Sequence, residues 1–447
     1  MAENRIYDLL IRNAMILTMD DNKTYYENGY IAVEGNKIVA VGSGQPDCGA
    51  KRVIDGEGCV AMPGFFNTHT HMGMGYLRGF ADDCDLFEFL EKTFSIVIAS
   101  GAQDVYDFIM LAAAEMIRSG YIGAAEMIGK MPTAVKAFTD CGMRVLLGPG
   151  GVDFNDESKV EGIIRETSDC YEKYNGAGDG RVRISFTIHA PYDCSRLLLQ
   201  ETKRAADALK ADIQVHLAEN KEEIRQILER YNMTPTEYLE SLGLLAPNLL
   251  AAHFVQVTER DMDMAKDYGI RVSHNIGSNL KLASGIAPVQ QMLQRGIPVG
   301  LGTDSNVTNN RLDAFDTMKT TALVHKGYLN DATVLPAYTV LEMATSMGAK
   351  AAGMGDITGT LEVGKCADII LVRMKGVGHL TPLFPQSREN IVSNLVYAAY
   401  AEDVDTSVIN GKIVMKNRII TAFDEQKIIT QAQKSGEDLL RKSKQLL

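Results

Sequence analysis

Three histidines and one aspartate offer this chain its densest set of metal-ligand donors. His69 and His71 stand two residues apart, His216 follows Ile213-Gln214-Val215, and Asp304 closes Leu301-Gly302-Thr303. Alternation along a strand sends His69 and His71 to one face, so both imidazoles can reach the same ion. His216 adds a third nitrogen and Asp304 an anionic oxygen, a donor set suited to one divalent metal. Glu219, three residues beyond His216, is placed for general acid and base work. A metal lowers the pKa of its water toward neutrality, and a nearby carboxylate can take that proton and return it to a leaving nitrogen. His253, after Leu249-Leu250-Ala251-Ala252, could polarise a substrate and hold the attacking water, with Asp304 as a second proton acceptor. His189 and His274 close two further apolar runs and are candidates for substrate contact. Each of these residues also has a structural reading, as a satisfied core histidine or, for Asp304, a turn or helix cap.

Such a site needs strands that end at one place. Eight apolar runs, at 60–68, 122–128, 143–149, 183–189, 212–218, 248–254, 270–274 and 298–303, each precede a stretch long enough to cross back as a helix. Eight such units predict a TIM (β/α)8 barrel, in which catalytic groups gather at the C-terminal strand ends. The ligand candidates close runs one, five and eight. Outside this region the texture alternates branched apolar with polar residues, from Tyr7 to Val41 and again at 367–372 and 406–414, with an Asn410-Gly411 turn in the last. The division expected is a composite β-sandwich from 1–59 and 360–420, a barrel at 60–359, and a charged C-terminal helix at 421–447.

A chain of 447 residues can bury both units. Its net charge of -12 argues against nucleic acid and anionic membrane as partners, because a phosphate-binding surface needs a basic field. A small-molecule substrate fits better. The first residues, Met1 to Arg5, carry no apolar signal core, and no apolar run is long enough to span a bilayer. Seven cysteines, with no CxxC pair, speak against a disulfide framework and fit a reducing cytoplasm.

Longer motifs bring a resemblance. Pro63-Gly64-Phe65-Phe66-Asn67-Thr68-His69-Thr70-His71, Leu77-Arg78-Gly79-Phe80-Ala81-Asp82-Asp83, His189-Ala190-Pro191-Tyr192, His216-Leu217-Ala218-Glu219, Ser273-His274-Asn275, Ser278-Asn279-Leu280-Lys281 and Leu301-Gly302-Thr303-Asp304 resemble the amidohydrolase superfamily. Within it they resemble the branch of 5′-methylthioadenosine/S-adenosylhomocysteine deaminases, over residues 6 to 418. The resemblance implies a distorted barrel with a composite β-sandwich and hydrolytic loss of ammonia from an amino-bearing ring carbon. It also implies one divalent metal, zinc first with iron(II) or manganese(II) as alternatives, and a homo-oligomer. The fourth run holds no lysine to bridge two metals, which favours a single ion.

The departures concern the substrate. Where nucleoside-deaminating members resemble one another in a tryptophan and a ribose-gripping glutamate, this chain places Phe89 and Val97-Ile98, unless Glu88 or Glu91 takes the role. An arginine after the third run is replaced by Pro149. A site that loses a hydroxyl partner discriminates against hydroxylated ligands. Phe87, Phe89, Ile98 and His189 are thus expected to line a pocket for a less hydroxylated amino-heterocycle of purine, nucleoside, pterin or triazine type. Two competing readings remain: hydrolysis of another ring bond, as in triazine dechlorination or cyclic amide opening, and a metal-binding barrel without turnover. The intact Glu219 disfavours the second.

Overall fold

The computed structural model describes residues 6–46 and 49–443. Met1 to Arg5, Cys48 and the last four residues of the expected terminal helix lie outside the described residues.

Both chain ends build one nine-stranded sheet. Its path runs from Ile419–Ile420 through Lys412–Lys416, Val404–Ile409, Ile369–Arg373, Cys59–Pro63, Ile6–Leu17 and Tyr25–Glu34 to Lys37–Ser43, and Gly49–Asp55 pairs with Ile6–Leu17. Leu9, Ile11, Ile16, Ile31, Leu371 and Val408 pack as its own core, the composite sandwich expected from the alternating texture. The expected first barrel run, 60–68, is divided. Cys59–Pro63 belongs to the terminal sheet, and Phe65–Thr70 starts the parallel barrel strands. Gly64 stands at the switch, where a Cβ would lie 2.1 Å from Ile122.

The remaining strands follow the expected order: Tyr121–Met127, Arg144–Gly148, Val182–Ile184 with Phe186–Ile188, Ile213–Leu217, Leu249–His253, Arg271–His274 and Val299–Leu301. The fourth is interrupted at Ser185, so one half pairs backward and the other forward. The last strand comes back beside the first, where Asn67 Nδ2 donates to Thr303 Oγ1 at 2.7 Å and Asp304 N donates to His69 O at 2.9 Å. Helices such as Met131–Cys141, Arg196–Leu209 and Lys221–Tyr231 return between strands, as βαβ units require.

Two features position the site further. After the first barrel strand the chain makes a long excursion, with helix Leu86–Ala99 capped by Asp85, whose carboxylate accepts from Glu88 N at 3.0 Å. The C-terminal helix Glu425–Ser443 packs on the next helix, Ala102–Arg118, where Ser435 Oγ donates to Asp107 Oδ2 at 2.6 Å. Among the described residues no single helix is long and apolar enough to cross a membrane. The six described cysteines are free and buried.

Candidate active site

The strand ends bring the expected donors together. His71 Nε2 lies 3.3 Å from His216 Nε2, and the Nε2 atoms of His69 and His71 each lie 3.6 Å from Asp304 Oδ1. Donor atoms of His69, His71 and His216, and of His69, His253 and Asp304, fall within 4.8 Å of one another. Surrounding contacts aim them. His71 Nδ1 donates to Met127 O at 2.8 Å and His216 Nδ1 to His189 O at 2.7 Å, which leaves both Nε2 lone pairs facing the centre. Asp304 Oδ2 accepts from Ser278 Oγ at 2.7 Å and Oδ1 from Ser305 N at 2.6 Å.

This donor set fits a divalent ion. Buried His69 Nε2 has no hydrogen-bond partner of its own, and such an orphan is costly unless something else takes its lone pair. Burial, reinforced by neighbouring imidazoles, holds His69 and His216 well below the ordinary histidine value. Burial also lowers His71, against the opposing pull of Asp304. All three are therefore neutral nitrogen donors at neutral pH.

Three of these strand ends turn through left-handed backbone: Ala218 has φ 53°, His253 φ 75° and Asp304 φ 60°. Such conformations are strained for residues with a Cβ and persist where surrounding contacts hold them. The turns expose each functional side chain to the barrel mouth. Beyond the turn at Ala218, Glu219 places Oε2 3.7 Å from His253 Nε2 and accepts at Oε1 from Ser284 Oγ at 3.5 Å. Burial pushes its carboxyl above the ordinary range, with His253 opposing. His253 Nδ1 donates to Asn279 Oδ1 at 2.8 Å, which fixes the ring.

A cavity of about 400 Å³ opens over these groups. One wall is helix Leu86–Ala99, which presents Leu86, Phe89, Leu90, Phe94, Val97 and Ile98; Val152 and Phe154 also line the cavity. Among the described residues its only carboxylates are Glu219 and Asp304, and its only lysine or arginine is Lys130. Phe89 is buried in the wall, while Ile98 lies at the rim and is 65% exposed. His189 faces the cavity, and Asp193 Oδ2 lies 2.6 Å from its Nδ1. Burial works against charge on His189, yet Asp193 lifts its pKa above the ordinary histidine value.

Other candidates stand apart from the cavity wall. His274 Nε2 lies 3.2 Å from His325 Nε2 behind the site. Phe87 packs on the Tyr192 ring at 5.4 Å, and Glu88 pairs with Lys92. Neither Glu91 nor Pro149 lines the cavity, whereas Gly150 does. Sequence reasoning passed over two buried carboxyls. Glu126 accepts from Met72 N at 3.0 Å just after His71, and Glu223 accepts from Ala218 N at 2.9 Å and Glu219 N at 2.7 Å. Glu223 lies one helical turn beyond Glu219, a spacing that could have found it; Glu126 closes the second barrel strand and offered the same strand-end signal as the histidines.

Residues 60–414 match the amidohydrolase family. The chain is 41% identical over 437 residues to the 5′-deoxyadenosine deaminase of Methanosarcina acetivorans, covering 98% of this chain and 99% of that one. It is 40% identical to a 5-methylthioadenosine/S-adenosylhomocysteine deaminase of Syntrophomonas wolfei, covering 97% of this chain and all of the relative. Among solved structures, an adenosine deaminase from Xanthomonas campestris with bound zinc superposes with a TM-score of 0.92 at 30% identity, covering 98% of this chain and 100% of that one. The atrazine chlorohydrolase of Arthrobacter aurescens shares the fold, with a TM-score of 0.89 at 23% identity over 96% of this chain and 100% of that one.

Proposed function

This chain belongs to the amidohydrolase family, and we propose that it is a metal-dependent hydrolytic deaminase that releases ammonia from the amino-bearing ring carbon of an adenosine-type 6-aminopurine. The observation that carries this reading is the Glu219 and His253 pair set beside the converging His69, His71, His216 and Asp304 donors. The near full-length likeness to deaminases of adenosine derivatives supports the purine class.

In this reading His69, His71, His216 and Asp304 hold one divalent ion, zinc before iron(II) or manganese(II). Such an ion supplies Lewis acidity that makes a water nucleophilic near neutral pH. The substrate amine and one water become a ring carbonyl and ammonia. Glu219 takes one proton of the water and delivers it to a ring nitrogen, and the water's second proton, taken up by Asp304 and Glu219, goes to the departing amine, work suited to a carboxyl raised by burial. His253, fixed by Asn279, faces Glu219 and steadies the attacking oxygen and the tetrahedral carbon. Asp304 is the second proton acceptor. His189, which faces the cavity, contacts the substrate, and Phe89 and Ile98 confine its non-reacting part.

The apolar wall bears on that part. Thr93 Oγ1 donates to Phe89 O at 2.8 Å and Ser100 Oγ to Val97 O at 2.7 Å, so both hydroxyls already serve the helix backbone. With no carboxylate on this wall, ribose hydroxyls gain little, and an apolar 5′ end fits. An ammonia-release screen with zinc-loaded protein tests the reading. Turnover of 5′-deoxyadenosine or methylthioadenosine above that of adenosine, pterins and triazines is expected; no ammonia from any 6-aminopurine overturns it.

A further inference from the structure

The helix Lys221–Tyr231 sends a carboxyl group back to the strand end that carries Glu219. Glu223 is 1% exposed, and its two oxygens accept from two consecutive peptide N–H groups, those of Ala218 and Glu219. Among the described residues no lysine, arginine or histidine forms an ion pair with it, although a buried carboxyl is normally paired. Asn220 caps that helix by accepting from Glu223 N at 2.9 Å, but the Glu223 carboxyl reaches the amides of Ala218 and Glu219, where the reciprocal bond of a capping box would go to the Asn220 amide.

The other side of the same turn is held as firmly. Ala218 O accepts from Val255 N at 3.0 Å and from Gln256 N at 2.8 Å, both in the loop that follows His253. Ala218 itself is left-handed, so without these bonds the chain would relax toward right-handed or extended backbone and swing Glu219 with it. The peptide planes on both sides of the Ala218 Cα, the second of which leads into Glu219, are therefore set by the Glu223 carboxyl and the loop after His253. These are the planes that decide whether Glu219 reaches His253 and the substrate.

We propose that Glu223 is a positioning residue for proton transfer, one that clamps the Ala218 and Glu219 amides and so aims the Glu219 carboxyl into the cavity. The proposal rests on the deaminase reading for its kinetic consequence and on the backbone geometry alone for its structural one. Glu223 touches no reacting atom. Its loss should slow the chemical step while leaving the ion and the substrate bound.

The test compares full-length, zinc-loaded Glu223→Ala and Glu223→Gln with the parent. Metal content, kcat, KM and amide hydrogen exchange at residues 218 and 219 are measured. For Glu223→Ala, kcat should fall by about 10², the scale that misplacement of a catalytic group by about 1 Å produces, with KM within about threefold and metal content unchanged. Glu223→Gln keeps the shape and one acceptor and should recover much of that loss, remaining about fivefold below the parent. A kcat for Glu223→Ala within about twofold of the parent, or a loss of metal in step with kcat, overturns the proposal. If Glu223→Ala does not fold, a parent-like kcat in Glu223→Gln overturns it equally. If the parent releases no ammonia from any 6-aminopurine, the deaminase reading fails. The clamp is then judged by exchange, which should quicken at 218 and 219 in the variants but not along Ile213–Leu217.

Discussion

Glu219 Oε2 and His253 Nε2 face each other at 3.7 Å, at the ends of neighbouring strands that both turn left-handed, next to the donor cluster of His69, His71, His216 and Asp304. A carboxyl raised by burial beside an imidazole can hold a proton or release it within one turnover. Glu219→Gln keeps size and polarity but removes the acid. It is expected to lower ammonia release by at least about 10², with bound metal unchanged by elemental analysis. Full activity in that variant would remove Glu219 from the mechanism.

Asp304 depends on Ser278, whose hydroxyl donates to Oδ2 at 2.7 Å. Groups that orient a ligand contribute about 10- to 100-fold to metal affinity. Ser278→Ala should therefore weaken zinc binding by that factor in a chelator competition, while saturating zinc restores most of kcat. Chelation of the parent should abolish turnover, and metal add-back should restore it.

Arg144, on the third barrel strand, and Asp368, beside the terminal sheet, form a buried ion pair: Nε to Oδ2 is 2.6 Å, and both side chains are at most 1% exposed. Asn410 completes it, accepting from Arg144 Nη2 at 2.8 Å and donating its N–H to Asp368 Oδ1 at 2.7 Å. Removing one partner strands the other charge in the interior. Arg144→Ala should cost about 3–5 kcal/mol in denaturant unfolding. Arg144 lies away from the cavity wall, so KM of the folded fraction should not change.

Burial pushes Glu223 up to about 8, against the two amides that favour its ionised form. In an unfolded chain a glutamate titrates near about 4.3. Between those values the folded chain keeps a proton that the unfolded chain has lost, so stability falls as pH rises through the window. The buried histidines, His69 and His216, oppose this trend only below the ordinary histidine value of 6.5. The metal-free protein should thus lose Tm from about pH 7 to about pH 9, and Glu223→Gln should make that slope shallower. An equal slope in both proteins would count against a protonated Glu223.

Strand ends were legible in the sequence because each of His69, His216, His253 and Asp304 interrupts an apolar run, and a buried parallel strand is one of few reasons for that pattern. Six of the eight expected runs match single strands within one or two residues, and the fourth matches two strands divided at Ser185. The first did not, because 60–68 joins two strands of different sheets across Gly64, and apolar periodicity cannot see a change of partner. Glu126 and Glu223 carried a weaker signal, only their places at a strand end and four residues past Glu219. Their carboxyls bind backbone N–H groups, which every residue has, so no partner residue type betrays them. Likewise His274 closes its strand as the others do, but its ring turns to His325, a residue on helix Ala314–Leu329 far along the chain.

Val97 shows how the cavity wall can be read as specificity. It stands on helix Leu86–Ala99 among apolar neighbours, and among the described residues the carboxylates that line the cavity are the reacting Glu219 and Asp304. A diol gives up its two hydroxyl protons best to a buried acceptor, and a site built for hydroxyls rejects ligands that lack them by about 10⁴ or more. This wall offers no such acceptor, so the parent should discriminate weakly between a 6-aminopurine nucleoside and its 2′,3′-dideoxy counterpart, by less than about tenfold in kcat/KM. Val97→Glu places an acceptor in the wall. It should raise the preference for the hydroxylated nucleoside by at least about tenfold, chiefly by impairing the dideoxy substrate, which leaves the new carboxylate unpaired. A parent that already prefers the diol by about 10³ would mean that the hydroxyls find their partner elsewhere, with cavity-lining His189, held by Asp193, a candidate.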